Sequence, residues 1–207
     1  MKKAKLFSLK YLFYDFTKIT AAIPGLIAFR PKWIYTSEKA KKFIRGGALV
    51  ISNHNSFFDP IYLQFAIWYR RHRCVAKADM FTGFGGTMLK LFRCLPIDRD
   101  NMNLTSFKEI IKSLKEGELV SMFPEGHINV SEKDVDDFKS GMVLIAMQAG
   151  VPIVPVYIGQ RKSVFNRMKY IIGEPIEVKK GLKMTEMNEI TRELQRREEE
   201  MKSLSEK

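Results

Sequence analysis

Residues 48–60 read ALVISNHNSFFDP, and the interpretation of the whole chain starts from them. The apolar run from Ala48 to Ile51 predicts a short buried strand, and polar residues follow it at once. Asp59 before Pro60 is typical of a helix start, with aspartate as the N-cap and proline at the first helical position. The chain therefore passes from a buried strand through a polar loop into a helix, which is the pattern of an α/β protein.

The same alternation of strands and helices continues along the chain. Strands are predicted at residues 73–77, 94–98, 119–123, 152–158, 170–172 and 176–178, and helices at residues 61–69, 104–114, 138–149 and 187–204. Strands separated by helices predict a single α/β domain with a mixed, largely parallel sheet flanked by helices. The 207 residues are enough for one such domain with a substantial core.

The basic charge of the chain is concentrated near its N-terminus. Lys and Arg number 35 against 23 acidic residues, a net charge of +12, and residues 1–45 hold eleven of the basic residues but only two acids. A charge of this sign indicates a negatively charged partner: nucleic acid, an anionic membrane surface or a phosphorylated substrate. The two cysteines, Cys74 and Cys94, are too few for a disulfide framework and indicate a reducing compartment.

Apolar residues recur at helical spacing in this basic stretch, at Leu6, Leu9, Phe13, Phe16, Ile19 and Ile23, with Lys3, Lys10 and Lys18 between them. The pattern is typical of an amphipathic helix in a membrane interface, where lysine ammonium groups reach lipid phosphates. We therefore predict basic amphipathic membrane-docking helices at residues 1–40 and the main domain at 41–207. A helix packed on the domain's own core is the alternative. Charged residues interrupt the stretch, so neither a signal peptide nor a membrane-spanning helix is predicted.

The first polar loop contains Asn53, His54 and, five residues after the histidine, Asp59. Ligand sites of open α/β sheets lie beyond the carboxyl ends of strands. A carboxylate at this spacing can hold the imidazole in one tautomer and stabilise the imidazolium that forms when the ring takes a proton. Since the chain has no Gly-x-Ser-x-Gly motif, the pair indicates a general base acting on a substrate hydroxyl. A loop histidine beside a helix-capping aspartate is the alternative.

Two further strand ends carry polar residues. Glu125 and Gly126 follow one predicted strand, where the carboxylate can accept hydrogen bonds from a polyol and glycine permits close approach to the backbone. A solvated loop acid is the alternative for Glu125. Arg99 follows another predicted strand and can bind a phosphate through two parallel hydrogen bonds, or pair with Asp98 or Asp100 on the surface.

Four segments together resemble the glycerolipid acyltransferase family, in particular the bacterial 1-acylglycerol-3-phosphate (lysophosphatidic acid) acyltransferases. They occur in the family's order and approximate spacing, over residues 45–175: Asn53-His54-x4-Asp59, Leu95-Pro-Ile-Asp98-Arg99, Phe123-Pro-Glu125-Gly126 and Val151-Pro-Ile-Val-Pro155-Val156. The resemblance implies transfer of a fatty acyl chain from a thioester of coenzyme A or acyl carrier protein to the hydroxyl of lysophosphatidic acid, which gives phosphatidic acid. Another lysolipid or glycerol-3-phosphate is the alternative acceptor.

The resemblance also implies the roles of the site residues. His54 would be the general base and Asp59 its orienting carboxylate. The substrate-binding residues would be Asn53, Arg99, Glu125, Gly126 and His127. Backbone amides at the start of the helix after Asp59 are candidate donors to the oxyanion of the tetrahedral intermediate.

The same resemblance implies the partners and the location of the protein. No metal or cofactor is implied beyond the acyl-CoA or acyl carrier protein co-substrate. The partners would be that thioester, a lysophospholipid acceptor and an anionic membrane surface, without nucleic acid. Because the family's N-terminal helices dock on the membrane, the protein would be peripheral, on the cytoplasmic face of the inner membrane.

The chain departs from the family pattern at two places. Arg93 stands where the second segment normally has glycine, and His127-Ile128-Asn129 replaces a continuation with Thr-Arg or Thr-Ser. A basic residue expected near the phosphate is therefore missing from this loop, and Arg93, Lys139 and Lys162 are candidates to replace it. The Gly-interrupted apolar segment from Met80 to Phe92 either lines a groove for the acyl chain or belongs to the core.

Three other classes of protein remain open. A nucleic-acid-binding module would explain the positive charge, but it should place basic residues among aromatics on a sheet or a recognition helix. A metal hydrolase would use His54, Asp59, His72 and His127 as ligands, although these residues lack the close spacing of histidine pairs. A lipid-binding homologue without catalysis is the third alternative.

Overall fold

The chain folds around a seven-stranded sheet in the structure, a computed structural model that describes residues 11–98, 104–126, 128, 138–161, 163 and 165–206. The strands are β1 (Lys32–Tyr35), β2 (Ala48–Ser52), β3 (His72–Lys77), β4 (Leu95–Ile97), β5 (Leu119–Met122), β6 (Ile153–Ile158) and β7 (Lys169–Ile172). The α-helices are α1 (Leu12–Phe29), α2 (Asp59–Ala66), α3 (Gly83–Leu91), α4 (Leu104–Lys115), α5 (Gly141–Ala149) and α6 (Met184–Glu206), and a short 3-10 helix covers Ala78–Phe81.

The strand order is β1-β7-β6-β2-β5-β3-β4, and every pairing is parallel except the antiparallel pair of β6 and β7. The prediction of an α/β domain with a mixed, largely parallel sheet is confirmed. β2 lies between β5 and β6, and all of its residues are buried. A parallel strand covered on both faces needs a continuous apolar run, which explains why the run at residues 48–51 predicts this strand correctly.

Two apolar clusters cover the two faces of the sheet. On the first face, Leu63 and Ala66 of α2 and Phe29 of α1 pack on the strands. On the second face, α4, α5 and α6 pack on the strands through residues such as Ile110, Ile145 and Leu194. β2 leads into α2 on the first face, whereas β5 leads toward α5 on the second. The carboxyl ends of these adjacent strands therefore border a crevice, the usual ligand position in an open α/β sheet.

Helix α1 lies against the domain along one side. Asp15 forms an ion pair with Arg71 at 2.6 Å, and Tyr14 hydrogen-bonds with Gln64. A Cβ added at Gly25 would overlap the ring of Phe65 on α2. The alternative of a helix packed on the domain's own core therefore describes one side of α1 only.

The other side of α1 exposes large apolar side chains, namely Leu12, Phe16, Ile19, Ile23, Leu26 and Ile27. Leu6, Leu9, Lys3 and Lys10 lie outside the described residues. Lys18 does not join a lipid-facing surface: it donates to the carbonyl of Arg70 at 2.8 Å, and burial lowers its pKa to about 8. α1 is also the one helix among the described residues that is long and apolar enough, by length and composition, to cross a membrane.

The sequence pattern misplaces some element bounds. The apolar pattern does not predict β1, which lies within residues 1–40 and yet pairs with β7 in the sheet. Residues 176–178 form no strand of their own but only an isolated bridge between Ile153 and Ile176. The helix after the first loop begins at Asp59, with Phe58 in the N-cap position, because the Asp59 carboxylate bonds the preceding loop instead of capping the helix.

Candidate active site

His54 and Asp59 meet just beyond the carboxyl end of β2. Nδ1 of His54 lies 3.1 Å from Oδ2 of Asp59, and the two side chains are 16% and 5% exposed. This contact uses Nδ1, so Nε2 is the ring nitrogen left to exchange a proton with a substrate. The two residues of the His-x4-Asp spacing are therefore in contact, and their catalytic role stays a prediction.

The backbone of the same loop fixes the carboxylate of Asp59. Its Oδ2 accepts hydrogen bonds from the N–H groups of Asn55 and Ser56, each at 2.7 Å. Hydrogen bonds from backbone donors to a carboxylate are short and strong. They hold the oxygen in one position, so the imidazole of His54 meets an acceptor that is already in place.

The amides expected to serve an oxyanion are largely occupied. Those of Asn55 and Ser56 bond Asp59, and those of Ile61 and Tyr62 donate to the carbonyl of Phe58. Pro60 has no N–H to offer. The backbone at the start of α2 is therefore a poorer source of oxyanion donors than the sequence indicates.

Two residues that follow β5 support the histidine from the neighbouring strand. The ring of Phe123 stacks on the imidazole of His54, with centroids 4.0 Å apart and an angle of 16° between the planes. Oε1 of Glu125 accepts the backbone N–H of His54 at 3.1 Å. Glu125 is 1% exposed, so it is not a solvated loop acid. It belongs to the framework of the site, and its contact with substrate stays a prediction.

Asn53 ties the histidine loop to β6. Its Oδ1 accepts the N–H of Ile158 at 2.8 Å, and its Nδ2 donates to the carbonyl of the same residue at 3.1 Å. Ser52 also donates to Oδ1, at 3.2 Å. Because the amide is buried and both of its polar atoms are engaged, the geometry favours a positioning role for Asn53. Its contact with substrate stays a prediction.

The rest of the substrate-binding set is described in part. Arg99 and His127 lie outside the described residues, as does Lys162. Gly126 has a φ of +87°, a left-handed conformation that favours glycine. Lys139 lies beside the loop of Glu125, because its backbone N–H donates to the carbonyl of Pro124 at 3.2 Å.

Arg93 lies near the amino-terminal ends of the parallel strands, whereas His54 lies beyond their carboxyl ends. Arg93 precedes β4, at the amino-terminal edge of the parallel strands, and its guanidinium stands over the ring of Tyr11 at 4.8 Å. Its φ of +58° keeps the left-handed backbone that glycine would adopt more easily. Arg93 is therefore not a replacement for the phosphate-binding residue missing from the loop after Gly126.

His72 also lies away from the candidate site. It begins β3 at the amino-terminal edge of the sheet, its Nδ1 is 3.1 Å from Oγ of Ser121, and burial lowers its pKa to about 3. The metal-hydrolase alternative therefore loses His72 as a ligand. The described part of the chain holds no group of three or more His, Cys, Asp or Glu residues placed to bind a metal ion.

The apolar segment from Met80 to Phe92 forms the end of the 3-10 helix, α3 and the following turn. Phe84 is 80% exposed, and Met80, Leu91 and Phe92 are exposed as well. The core interpretation is wrong for these four exposed residues, whereas Phe81, Met88 and Leu89 are half-buried. A role in lining an acyl groove stays a prediction.

Sequence reasoning misses two polar side chains. Both amide atoms of Asn55 are buried and accept or donate no hydrogen bond among the described residues. Glu198 on α6 is 0% exposed and acts electrostatically on Glu125. An acidic run such as residues 198–200 is typical of a solvated helix face. The sequence feature that could have predicted the burial of Glu198 is its helical spacing, because it lies between Leu194 and Met201 on the apolar side of α6.

Comparisons with known proteins agree with this geometry. The sequence model of the family described as Acyltransferase matches residues 34–159, which include both the His54 loop and the Glu125 loop. A 1-acyl-sn-glycerol-3-phosphate acyltransferase of Bacillus subtilis is 37% identical over 63% of this chain and 67% of its own length. A protein of the same name from Streptococcus pneumoniae is 32% identical over 74% of this chain and 61% of its own length.

A solved structure shares the fold. The 1-acyl-sn-glycerophosphate (LPA) acyltransferase of Thermotoga maritima superposes with a TM-score of 0.64 at 22% identity, over 93% of this chain and 80% of that protein. The sequence matches, in contrast, cover about two thirds of the two bacterial relatives or less. Since the family match extends over more than half of the residues and contains the His54–Asp59 contact, this chain belongs to the acyltransferase family.

Proposed function

We propose that this chain is a 1-acylglycerol-3-phosphate acyltransferase, which moves a fatty acyl chain from an acyl thioester to the free hydroxyl of lysophosphatidic acid and gives phosphatidic acid. The observation that carries the proposal is the contact of His54 with Asp59 in a chain of the acyltransferase family. The names of the relatives from Bacillus subtilis and Streptococcus pneumoniae support lysophosphatidic acid as the acceptor.

In the proposed reaction, Nε2 of His54 takes the proton of the acceptor hydroxyl while its oxygen attacks the thioester carbonyl. The new C–O bond forms, and the C–S bond breaks when the tetrahedral intermediate collapses. The departing thiolate, from coenzyme A or acyl carrier protein, then receives the proton from the imidazolium. Asp59 stabilises that imidazolium in the interval. The proposal involves neither a metal nor a cofactor.

The tetrahedral intermediate needs a hydrogen-bond donor, and Asn55 is the proposed one. Its amide is buried and has no hydrogen-bond partner among the described residues, although it adjoins the catalytic histidine. A buried amide without a partner is costly in a folded protein. A developing oxyanion would satisfy the Nδ2 donor, and a donor of this kind stabilises the transition state more than the ground state.

The proposed partner surface is an anionic membrane. The end of α1 lies against the helix that carries Asp59, because Phe29 packs on Tyr62 of α2 with ring centroids 5.2 Å apart. Phe57 and Phe58, exposed at the start of α2, lie in the same loop as the catalytic pair. An acceptor hydroxyl held at the lipid–water boundary would thus reach His54 without leaving the membrane surface.

Charge and polar contacts support a peripheral arrangement. Arg161 donates to the carbonyl of Ala28 at 2.9 Å and Arg167 to that of Arg30 at 3.0 Å, so guanidinium groups surround the end of α1. Such groups favour anionic headgroups. The ion pair of Asp15 with Arg71 ties the first turn of α1 to the domain. We therefore propose a protein bound on the cytoplasmic face of the inner membrane.

The activity is tested by incubating the chain with lysophosphatidic acid and either acyl-CoA or acyl carrier protein thioester, with products measured by lipid mass spectrometry. We expect phosphatidic acid from the parent and none from His54→Ala, whose fold is checked by circular dichroism. Glu199→Gln, which alters an exposed carboxylate on α6, is the control. Acylation of another lysolipid or of glycerol-3-phosphate alone would correct the acceptor, and no acylated product would refute the enzyme.

Membrane binding is tested by sedimentation with vesicles of phosphatidylglycerol and phosphatidylethanolamine. Replacing both Ile19 and Ile23 with serine should sharply reduce the bound fraction, because these side chains are 73% and 69% exposed on the free side of α1. Met184→Ser is the control, since Met184 is 63% exposed at the start of α6 on the other face of the sheet. Equal sedimentation of all three proteins would contradict the docking surface.

A further inference from the structure

The buried side of α6 contains one carboxylate. Its buried residues are Met187, Thr191, Leu194, Glu198 and Met201. Glu198 is 0% exposed, and neither of its oxygens completes a hydrogen bond of ordinary geometry among the described residues. An ionised carboxylate in such a place, without a cation or donors, is strongly disfavoured. Packing alone does not explain a glutamate here, since a leucine or methionine would fill the same space without the desolvation cost of a carboxyl group.

The groups that face Glu198 come from the candidate site. Glu125, whose Oε1 accepts the N–H of His54, acts on it electrostatically, and the backbone N–H of Asn53 favours its charged form. Both belong to the loops at the carboxyl ends of β5 and β2. The hydrogen bonds nearby agree with this placement. Gln195, three residues before Glu198 on α6, accepts the N–H of Phe138 at 3.4 Å, and the next N–H, of Lys139, donates to the carbonyl of Pro124 at 3.2 Å, so this part of α6 lies beside the loop of Glu125.

Among the described residues, no cation hydrogen-bonds a carboxylate oxygen of Glu198. β6 and α5 contain no charged residue, and Lys169 of β7 donates to the carbonyl of Ser205 at 2.6 Å. On α6 itself, Arg197 is paired with Glu193 at 2.7 Å. The titratable side chain that β6 does contain is the phenol of Tyr157, which is buried. Burial and the neighbouring Glu125 therefore raise the pKa of Glu198 well above its usual range.

We propose that Glu198 is a positioning residue that acts through Glu125: held uncharged, it turns its carbonyl oxygen to the N–H of Asn53 and its O–H to the Glu125 carboxylate. The single negative charge of the pair then rests on Glu125, which fixes the N–H of His54. Ionisation of both groups would place two like charges side by side in an apolar layer and displace Glu125. A small displacement of the imidazole is enough to slow proton transfer.

The role rests on the proposed function and is tested with two variants of similar volume. Glu198→Gln keeps one acceptor and one donor in the required places, so its kcat should match that of the parent at neutral pH. Glu198→Met keeps the volume but offers neither group, so its kcat should fall, by up to about 10²-fold, with little change in KM. At alkaline pH the parent should lose activity where Glu198→Gln does not. Glu199→Gln, on the exposed side of the same helix, should follow the parent.

Stability as a function of pH tests the charge state without any assay of activity. A carboxyl group whose pKa is raised by folding makes the free energy of unfolding fall as pH rises from the ordinary glutamate range through the raised value. The Tm of Glu198→Gln relative to the parent should therefore increase with pH over this window, whereas that of Glu199→Gln should not.

The outcomes separate the two proposals. An active parent with a Glu198→Met variant as fast as Glu199→Gln, or a Tm difference for Glu198→Gln that is constant with pH, overturns the inference and leaves the proposed function standing. A parent that transfers no acyl chain overturns the proposed function and this role with it. Loss of kcat in Glu198→Met, rescue by Glu198→Gln and a rising Tm difference together support the inference.

Discussion

Replacing Asp59 with asparagine separates two effects of this carboxylate, which fixes the tautomer of His54 and supplies a negative charge. Its Oδ2 accepts three hydrogen bonds, from the N–H groups of Asn55 and Ser56 at 2.7 Å and from Nδ1 of His54 at 3.1 Å. If the asparagine placed its NH2 group at that position, two backbone N–H donors would face another donor and lose their acceptor. The carboxamide of Asp59→Asn should therefore place its oxygen there, which keeps the three bonds and the tautomer while the charge is lost.

The expected magnitudes follow from this geometry. A hydrogen bond to a charged group contributes about 1.5–3 kcal/mol, against about 0.5–1.5 kcal/mol for a neutral one. The imidazolium of the transition state therefore loses roughly 1–2 kcal/mol, which lowers kcat roughly 5- to 30-fold. Asp59→Ala instead leaves two backbone donors without an acceptor, so the free energy of unfolding should fall by roughly 2–4 kcal/mol. For a chain of this size the Tm should then fall by roughly 4–16 °C.

The assay is acyl transfer at saturating substrate for the parent, both Asp59 variants and the control Glu199→Gln, with Tm measured on the same samples. We expect Asp59→Asn to lower the Tm less than Asp59→Ala does, because its side-chain oxygen still accepts from both backbone N–H groups. A loss of kcat near 10⁴-fold in Asp59→Asn, the size expected when the wrong tautomer is imposed, would refute the reasoning. Such a loss would mean that the amide nitrogen occupies the Oδ2 position despite the two backbone donors.

Two further predictions concern the asparagines on either side of His54. Asn55→Ala should lower kcat by about 10²-fold without lowering the Tm, since its amide makes no hydrogen bond within the described structure. An unchanged kcat in stopped-flow or steady-state assays would remove Asn55 as the oxyanion donor. Asn53→Ala should instead lower the free energy of unfolding in urea by about 1–3 kcal/mol, because the N–H and C=O of Ile158 lose their partners. An unaltered urea midpoint would argue against a stabilising role for the two hydrogen bonds between Asn53 and Ile158.

The central strands of the fold are predictable because a strand that is buried on both faces consists of a nearly continuous run of apolar residues. The run at residues 48–51 is apolar without interruption and ends at polar residues, and the run at residues 119–123 is interrupted by Ser121 alone and ends at Pro124. The edge strand β1 has no such run, since Lys32 and Tyr35 are exposed and only its middle residues are half-buried. α3 is missed for another reason: Gly83, Gly85 and Gly86 argue against a helix by intrinsic preference.

The candidate site is predictable as far as it is local in sequence. The His54–Asp59 contact spans one loop, so its spacing is visible, and Glu125 is visible as an acid at a strand end. The stacking of Phe123 on His54 and the clamp of Asn53 on Ile158 join separate strands, and no local pattern reports them. Glu198 is the hardest residue to predict. It stands in a run of three glutamates, and it differs from the other two in being fully buried, which only the structure shows.

The histidine loop is held from three directions, and each direction belongs to a different layer of the fold. Asp59 of α2 holds the imidazole from the first face of the sheet, Asn53 binds β6 within the sheet, and Glu125, through its proposed pairing with Glu198, links the loop to α6 on the second face. A loop bound in this way should keep its position if α1 docks on a membrane as proposed. The proposed membrane contact and a fixed placement of the imidazole are therefore compatible, because α1 would supply the membrane contact and the loop's strand and helix contacts fix the imidazole.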